Sequence, residues 1–314
     1  MGDAANAQLL ERGCKVIRLD SATCEEVSPW IENHASDADF VMVSGGDGTM
    51  NAAAKGVLNT RLPMAILPAG TANDLARTLG IHGTVKDIVA LPFGGHKARV
   101  DIGEANGHLF FNVASIGLST DLARGLTRDT KRRFGRFSYV LAALKALRAT
   151  RPFSAIVSHD DVSLRVRTWQ IAIGNGRYYG GGNAVHHEAR IDDAALDLYS
   201  LELRRLWKLL AMYPLFKAGR HSLWREVRSA RCDHFDVWTK TPRPVNLDGE
   251  IKTSTPASFK VIPSAIEIFV PQGQQIGFYG ERPAARHKRV CDSPEMGLPA
   301  EGTHDDQSIA FRRS

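Results

Sequence analysis

The chain has 314 residues, 43 % of them hydrophobic and 24 % charged, which is the composition of a globular protein long enough for two domains. Its net charge of +6 favours anionic partners such as nucleotides or acidic lipid surfaces, but zinc-finger spacing and aromatic RNA-binding runs are missing, which argues against nucleic acid. The sequence has no apolar run of about 18 residues that would predict a spanning helix, and no secretory signal is visible at its start. The four cysteines lack metal-ligand spacing, so we expect them to be reduced cytosolic thiols.

The first hundred residues alternate helix-like and strand-like patterns. Helical patterns cover Ala7–Arg12, Cys24–Ala35, Met50–Leu58 and Ala72–Leu79, and apolar runs typical of strands cover Lys15–Leu19, Asp39–Ser44 and Met64–Leu67. Strands that alternate with helices are typical of layered α/β folds with a mostly parallel sheet. The sequence therefore predicts an α/β domain over residues 1–100.

From about Val100 the chain becomes rich in short β-forming runs. They are Leu109–Val113, Ser154–Ser158, Leu164–Ile173, Leu196–Leu201, Phe235–Thr239, Ser258–Val261 and Ile266–Val270, and helical patterns at Phe137–Ala149 and Leu206–Ala218 interrupt them. Such spacing predicts an antiparallel β-sandwich-like domain over residues 101–272, whose last strand can return to the first domain. The polar, charged residues 273–314 predict a disordered tail.

A glycine-rich stretch, SGGDGTMN from Ser44 to Asn51, separates a predicted strand from a predicted helix. A strand, a glycine-rich turn and a helix N-terminus together present backbone N–H groups to a phosphate. The stretch lacks the Gly-Lys-Ser/Thr of a Walker A loop, and Asn51 stands where a dinucleotide fingerprint needs its third glycine. A structural turn in which Asp47 or Thr49 caps the helix is the alternative.

Three further stretches place glycines and polar groups at turns. PAGTANDLAR (Pro68–Arg77) again lies between a strand and a helix, so both glycine turns are expected at the carboxyl edge of the sheet, where α/β proteins bind ligands. VNLDGEI (Val245–Ile251) is typical of a strand followed by an Asp-Gly hairpin turn. IAIGNGRYYGGG (Ile171–Gly182) is a strand that enters a glycine-rich loop, and several carboxylates follow it.

The sequence resembles the bacterial diacylglycerol-kinase-like lipid kinases, in the YegS-like branch, over roughly residues 7–272. The resemblance rests on four motifs in the same order and at about the same spacing: SGGDGT, PAGTANDLAR, IGNGRYYGGG and NLDGE. Four motifs in register are specific, whereas GGDGT alone also occurs in NAD kinases. The resemblance implies an N-terminal α/β nucleotide-binding domain and a C-terminal β-sandwich-like domain. It also implies transfer of the ATP γ-phosphoryl group to a membrane lipid hydroxyl, for example that of diacylglycerol or phosphatidylglycerol.

The resemblance implies roles for individual residues as well. Asp248 in the DGE turn matches the family's general base, and a carboxylate suits that role because it can accept the hydroxyl proton. The two glycine turns would bind the nucleotide, through Gly45, Gly46, Asp47, Gly48, Thr49, Asn51, Gly70, Thr71 and Asn73. A catalytic Mg²⁺ that bridges the phosphates near Asp47 is expected on chemical grounds.

Relatives also carry a Mg²⁺ site in the loop after the GNGR strand. The matching positions are Glu188, the backbone carbonyl of Ile191, and Asp193, and such hard oxygen ligands suit Mg²⁺. The family commonly has an Asp-Gly pair here, whereas this sequence has Asp193-Ala194, which keeps the carboxylate and alters the turn.

The beginning of the chain departs from the family pattern. Family members open with a strand and an Asn-Pro-x-Ser-Gly-like segment that helps to line the nucleotide site. This sequence begins in a predicted helix. We therefore expect its α/β domain to lack the usual first strand and part of the wall of the site.

A lipid kinase without a spanning helix must contact the membrane reversibly, so we expect a cytoplasmic protein that acts at the inner membrane face. Two segments suit an anionic surface: Arg124–Arg151, with nine Lys/Arg and Asp129 as its single acid, and Leu206–Trp224, which mixes aromatic and basic residues. The first segment is equally typical of an amphipathic helix packed on the β domain with solvated charges, and the second is more typical of that arrangement.

Three other functions fit part of these patterns. A NAD or sugar-phosphate kinase shares GGDGT but matches GTANDLAR and NLDGE less well. A nucleotide-binding regulatory protein without turnover is consistent with the missing first strand. A dinucleotide-dependent oxidoreductase would need a different glycine spacing and no acid inside the turn.

Overall fold

The computed structural model describes residues 1–19, 23–118, 120, 151–176, 190–203 and 227–273, and the backbone alone of 178–179 and 183–184. The predicted helices Phe137–Ala149 and Leu206–Ala218, and residues 274–314 of the predicted tail, lie outside the described residues.

Helices pack around the first two strands of the chain. In order they are α1 (Gly2–Glu11), α2 (Cys24–His34), α3 (Asp47–Thr60), α4 (Asp74–Thr78), α5 (Val85–Val89) and α6 (Leu91–Gly94). Helix α2 begins with a capping box, in which the Thr23 backbone N–H donates to Glu26 Oε2 at 2.8 Å. The Ser28 hydroxyl accepts from the backbone N–H of Gly56 at 2.8 Å, which joins α2 to α3.

The strands of the described residues form two large sheets and one short hairpin. In chain order they are β1 (Val41–Gly45), β2 (Met64–Pro68), β3 (His96–Ala105), β4 (His108–Phe110), β5 (Val113–Gly117), β6 (Phe153–His159), β7 (Val162–Thr168), β8 (Gln170–Gly174), β9 (Tyr178–Tyr179), β10 (Asn183–Ala184), β11 (Leu196–Leu201), β12 (Val227–Cys232), β13 (His234–Thr239), β14 (Pro244–Leu247), β15 (Glu250–Ser254) and β16 (Ala257–Val270). Sheet A has the order β1-β2-β16-β13-β6-β7, with β3 paired to β16 and β4 paired to β3. Sheet B has the order β12-β11-β8-β5-β14-β15.

Strands β1 and β2 run parallel, in register from Val41 opposite Met64 to Gly45 opposite Pro68. Strand β2 is a continuous apolar run whose first four residues are buried, as expected of a parallel strand that is covered on both faces. The carboxyl ends of the two strands therefore meet at one edge of the sheet, and both glycine-rich turns start there.

The remaining strand pairs of sheets A and B are antiparallel, apart from the contact of β16 with β2. Strand β6 reads FSAIVSH and buries every second residue, which is the period of a strand with one face on a core. Strands β5 and β8 of sheet B are buried along their whole length. This mixed α/β fold with a separate antiparallel sheet confirms the predicted fold class.

Two large hydrophobic clusters make up most of the core. One combines the helices with β1, β2 and the halves of β3 and β16 that lie near them, and the other fills the space between sheets A and B. Strand β3 contributes Val100 and Ile102 to the first cluster and Ala105 to the second. Strand β3 therefore crosses the domain boundary predicted at residue 100 and contributes residues to both clusters. The clusters do not separate at that residue, and the boundary stays a prediction.

The strand predicted at Lys15–Leu19 is wrong, because these residues pair with no other strand. The apolar residues of this stretch are partly buried all the same, since Cys14 and Val16 pack against the helical cluster. The backbone lacks a ladder partner, however, and the Arg18 guanidinium instead contacts Asp3 of α1 at 3.0 Å. An apolar pattern indicates that residues are buried, but it does not show whether a neighbouring strand is present to pair with them.

Candidate active site

The first glycine-rich turn connects β1 to α3. Gly45 ends the strand, Gly46 is the N-cap residue in an extended conformation, and Asp47 is the first helical residue. The N-cap residue of α3 is Gly46 and not Asp47 or Thr49, so the capping alternative is wrong. Instead Asp47 Oδ1 accepts the backbone N–H of Leu75 in α4 at 3.1 Å, which ties the start of α3 to the second glycine turn.

The two glycine turns lie directly against each other. The Ala69 backbone N–H donates to the carbonyl of Gly45 at 2.9 Å. A Cβ atom added to Gly70 would stand 2.5 Å from the Cα atom of Gly46, so this approach requires glycine. Asn73, with φ of 49°, holds the second turn, because its carboxamide accepts from the Gly70 N–H and donates to the Gly70 carbonyl, both at 2.9 Å.

The other predicted nucleotide-binding residues follow these turns. Gly48 and Thr49 lie in the first turn of α3, and Thr71 is exposed in the loop after β2. Asn51 lies one turn further along α3, and its Oδ1 atom is buried without a hydrogen-bond partner in the described part of the chain. The first turn of any helix leaves backbone N–H groups without intrahelical acceptors, so this edge is suited to an anion.

Asp248 lies in the turn between β14 and β15, with φ of 47°. Its carboxylate accepts three consecutive backbone N–H groups: Oδ2 accepts from Phe111 at 2.7 Å, and Oδ1 accepts from Asn112 at 3.0 Å and from Val113 at 2.8 Å. The backbone N–H of Asp248 returns a bond to the Val113 carbonyl at 3.0 Å. The side chain is therefore held in one orientation by backbone atoms alone.

The protonation equilibrium of Asp248 is displaced from its ordinary position. Burial raises the pKa of this carboxyl to about 7, although the three backbone donors favour the charged form, and the nearby Asp47 carboxylate raises it further. A carboxyl with a pKa near 7 exchanges its proton at neutral pH, which is the property required of a general base.

The Asp-Gly-Glu turn and the first glycine turn are neighbours in space. A Cβ atom added to Gly48 would stand 3.5 Å from Glu250 Oε1, and Asp47 acts electrostatically on Asp248. Strand β14 positions the turn by pairing with β5, where Leu247 lies opposite Ala114. The fold thus brings together three motifs that are separated by up to two hundred residues in the sequence.

The predicted metal loop lies before β11. Asp193 forms an ion pair with Arg231, and the backbone N–H of Ala195 donates to Asp193 Oδ1 at 3.2 Å. Burial raises the pKa of Asp193 to about 7, Arg231 opposes this, and the Asp197 and Asp101 carboxylates add to it. Glu188 lies outside the described residues, so the structure brings together only part of the predicted set.

Asp101 in β3 anchors this loop, and the sequence analysis missed it. Its buried carboxylate accepts the backbone N–H of Ala194 through Oδ2 and that of Ser264 through Oδ1, both at 2.6 Å. Its own N–H donates to the Ile191 carbonyl at 2.7 Å. Ala194 keeps a left-handed conformation, with φ of 56°, at the position where relatives commonly have glycine. A lone aspartate within a strand gives no sequence signal for this role.

Asn175 links the metal loop to Asp248. Its Nδ2 atom donates to the carbonyls of Asp101 at 3.1 Å and Phe111 at 2.8 Å, and its backbone N–H donates to the Asn112 carbonyl at 2.9 Å. Phe111 and Asn112 are two of the three residues whose amides hold Asp248. The sequence signal for Asn175 was its place between two glycines directly after an apolar strand.

Comparison with known families assigns both halves of the chain. Residues 4–105 match the diacylglycerol kinase catalytic domain, and residues 112–270 match the YegS C-terminal NAD kinase beta sandwich-like domain. The two matches meet within three residues of β4, where the first cluster gives way to the second.

Individual relatives agree with this assignment. The chain is 30 % identical over 239 residues to the Pseudomonas aeruginosa protein named "Probable lipid kinase YegS-like", covering 75 % of this chain and 78 % of that protein. It is 26 % identical over 239 residues to a diacylglycerol kinase of Staphylococcus epidermidis, covering 76 % of each chain. A solved structure of a diacylglycerol kinase from Bacillus anthracis superposes with a TM-score of 0.62 at 20 % identity, over 82 % of this chain and 85 % of that one, a likeness that concerns the fold.

Proposed function

Because the chain belongs to the diacylglycerol-kinase-like family of lipid kinases, which are phosphotransferases with an alcohol group as acceptor, we propose that it transfers the γ-phosphoryl group of ATP to the hydroxyl group of a membrane lipid. The observation that carries this proposal is the meeting of three motifs at one edge. Glu250, in the turn that contains Asp248, lies beside Gly48 of the first glycine turn, and Gly46 of that glycine turn lies against Gly70 of the second. Diacylglycerol and phosphatidylglycerol are the acceptors that we propose to test first.

In this proposal Asp248 is the general base. It accepts the proton of the lipid hydroxyl while the hydroxyl oxygen forms a bond to the γ-phosphorus, and the bond from that phosphorus to the β–γ bridging oxygen breaks, so that ADP leaves. The pKa of about 7 keeps a large fraction of the carboxyl unprotonated at neutral pH. The backbone donors from Phe111, Asn112 and Val113 hold the carboxylate in place before it takes the proton.

The two glycine turns are proposed to hold the phosphates of ATP. Gly46 and Gly70 have no side chains to keep a phosphate away from the backbone, and the N-terminus of α3 points its free N–H groups and its positive dipole end toward the same edge. Thr49, Asn51, Thr71 and Asn73 add polar groups around that edge. Asp47, bound to the Leu75 N–H through one oxygen, retains a second oxygen for a metal ion.

The described part of the metal loop fits a hard cation. Its donors are carboxylate and carbonyl oxygens, and the three carboxylates of Asp101, Asp193 and Asp197 act on one another here, with the Arg231 guanidinium beside two of them. We propose that Asp193 and the Ile191 carbonyl, together with Glu188, hold Mg²⁺ in the loop, and that a second Mg²⁺ accompanies ATP near Asp47. When bound, the metal offsets negative charge on the phosphates.

The membrane contact is a separate part of the proposal. Among the described residues, no helix is both long enough and apolar enough to cross a bilayer. The two segments that we propose for reversible contact, Arg124–Arg151 and Leu206–Trp224, lie almost entirely outside the described residues. Co-sedimentation with liposomes tests the contact: binding should increase with the fraction of anionic lipid, and binding that is independent of this fraction would contradict it.

A lipid-panel assay with labelled ATP and Mg²⁺ tests the reaction. We expect label in the extracted lipid with at least one acceptor from a panel of diacylglycerol, phosphatidylglycerol and related lipids, and none in NAD. Label in NAD would favour a NAD-kinase-like enzyme. Calorimetric binding of ATP without any labelled lipid would favour a regulatory nucleotide-binding protein.

The Gly70→Ala variant tests the phosphate site within the same assay. The added methyl group would collide with the backbone of Gly46, so the turns must separate, and overpacking of this kind costs roughly 1–3 kcal/mol. We expect the apparent affinity for ATP to fall about tenfold or more. Gly94→Ala is the matched control, because a Cβ atom there meets nothing within 4 Å. Equal ATP affinities of the two variants would argue against phosphate binding at these turns.

A further inference from the structure

A cluster of metal-ligating side chains lies far along the sequence from the candidate active site. His159 and Asp160 are at the tip of the β6–β7 hairpin in sheet A, and Cys232 ends β12 in sheet B, directly before Asp233 and the first residue of β13. One donor atom from each of His159, Asp160 and Cys232 lies within 4.8 Å of the other two. The cluster therefore sits where the two sheets of the sandwich are joined by the short β12–β13 connection.

The spacing of the donor atoms matches a tetrahedral transition-metal site. Cys232 Sγ lies 3.4 Å from Asp160 Oδ1 and 3.6 Å from Asp233 Oδ1, and His159 Nδ1 lies 3.5 Å from Asp160 Oδ2. A zinc ion with bonds of about 2.0 to 2.3 Å in tetrahedral geometry separates its ligand atoms by about 3.3 to 3.8 Å. These three neighbouring distances lie in that range, and one donor atom from each of His159, Asp160 and Cys232 lies within 4.8 Å of the other two.

A second observation points to a ligand at this place. His159 is 9 % exposed, and its Nδ1 atom is buried without a hydrogen-bond partner in the described part of the chain, although Asp160 lies beside it. The ring stacks edge to face on Phe235, with centroids 5.5 Å apart, which fixes its orientation. A buried imidazole nitrogen that has no hydrogen-bond partner among the described residues, on a ring clustered with a thiol and a carboxylate, has the surroundings of a metal ligand.

We propose that His159, Asp160 and Cys232 bind a thiophilic divalent cation of the zinc class, which clamps the β6–β7 hairpin of sheet A to the end of β12 in sheet B. The combination of one imidazole, one thiolate and one carboxylate selects Zn²⁺ over Mg²⁺, because a thiolate and an imidazole are poor ligands for a hard cation. The Asp233 carboxylate, 3.6 Å from Cys232 Sγ, adds a negative charge beside the site. This site is independent of the proposed kinase reaction, since it shares no residue with the phosphate-binding turns or with the loop that contains Asp193.

Substitution with Co²⁺ tests the site through the thiolate. The full chain, purified and treated with chelator, is titrated with Co²⁺, and a thiolate-to-cobalt charge-transfer absorption is expected to saturate at one equivalent and to disappear on addition of Zn²⁺. Cys232→Ser should abolish this absorption, whereas Cys24→Ser and Cys291→Ser should retain it. No absorption in the wild-type chain, or an absorption that survives Cys232→Ser, would overturn the proposal.

Two further variants guard against misfolding as the explanation. Asp160→Asn keeps the left-handed backbone that this position needs, since φ is 48° and asparagine tolerates it, but removes an anionic ligand. We expect Asp160→Asn and His159→Gln each to weaken Zn²⁺ binding at least tenfold. The circular dichroism spectra of both variants should remain those of the wild type. The midpoint of thermal unfolding should rise with Zn²⁺ in the wild type and rise less in both variants at the same Zn²⁺ concentration. An equal rise in all three proteins would place the zinc elsewhere.

Discussion

Asp248 and Asp193 are both half-buried carboxyls whose pKa is raised to about 7, but the groups that surround them differ. Asp248 is held by three backbone N–H groups, and the charged group that acts on it is the Asp47 carboxylate. Asp193 is paired with the Arg231 guanidinium. Protonation of Asp248 weakens its hydrogen bonds to neutral amides but breaks no ion pair, whereas protonation of Asp193 breaks its ion pair with Arg231. The same pKa therefore has different structural consequences in the two regions, and Asp248 is the better suited of the two to exchange a proton.

Asp248→Asn should produce the largest effect. Asparagine has nearly the same shape but cannot accept a proton, and general base catalysis contributes typically 10²–10⁴-fold, so we expect kcat for lipid phosphorylation to fall by about that factor. Calorimetric binding of a non-hydrolysable ATP analogue should stay within a few-fold of the wild type. Asp161→Asn, in an exposed hairpin turn, is the control and should retain full activity. Near wild-type turnover of Asp248→Asn would remove Asp248 from its proposed role.

Asp101→Asn should destabilise the region of Asp193 strongly. One carboxylate oxygen would become an NH₂ group that faces the N–H of Ala194 or Ser264, and a charge-assisted hydrogen bond would be lost. Loss of such a bond with a buried unsatisfied donor costs about 3 kcal/mol. Urea denaturation measures the free energy of unfolding. The exposed Asp236→Asn should change it by less than about 0.5 kcal/mol, and equal losses in both variants would show that Asp101 is no anchor.

The pH dependence of activity should distinguish the two carboxyls. A base acts only when unprotonated, so kcat/KM should fall about tenfold per unit as the pH drops below about 7 and level off above it. The inflection should persist in Asp193→Asn, whatever its absolute rate, because Asp193 is not the proton acceptor. An inflection that disappears in this variant would assign it to Asp193.

The same pKa shifts predict the sign of a stability change with pH. Both carboxyls have an ordinary pKa of 3.8, which folding raises to about 7, so the folded chain holds these protons more tightly than the unfolded chain does. The stability that they contribute is fully present below about pH 4 and is lost as the pH rises through about 7.

Ala194→Gly should have the smallest effect, and it should raise the free energy of unfolding, whereas most substitutions lower it. The left-handed backbone at Ala194 costs an alanine roughly 1 kcal/mol, which glycine avoids, and the greater freedom of glycine in the unfolded chain offsets part of this gain. We expect a net stabilisation of about 0.5 kcal/mol in urea denaturation. Ala195→Gly, one residue further on and without a positive φ, should instead destabilise the chain by about 0.5–1 kcal/mol. Destabilisation by both would contradict the strained turn.

Elements with a strong local pattern could be predicted from the sequence. The apolar run at Met64–Leu67 became β2 within one residue, and the alternation at Ser154–Ser158 became β6. Helix α3 begins three residues before its prediction, because the glycine turn itself supplies the first helical turn. Strand β3, with charged residues along its exposed side, was missed, because its partner β16 is more than 150 residues away and determines its pairing.

The candidate site shows the same difference between local patterns, which could be predicted, and distant contacts, which could not. The glycine turns were visible because each lies between a strand and a helix that are adjacent in the sequence. The role of Asp101 depends on Ser264, which is 163 residues away, and the amides that orient Asp248 come from 135–137 residues earlier. The cysteines showed no metal-ligand spacing, yet Cys232 lies 72 residues from Asp160 in the sequence and 3.4 Å from it in the fold. Contacts of this range arise from sheet topology, which no local spacing rule records.

Strand β16 has a consequence for the synthesis of the protein. It lies along the whole of β3 on one side and contacts β13 and then β2 on the other, with Ile268 opposite Met64. The ribosome must therefore release the chain as far as Val270 before the sheet that carries the two glycine turns can close. Until then β2 and β3 present unpaired edges, which are templates for aggregation. A nascent or prematurely ended chain would be a substrate for chaperones rather than a partly active enzyme.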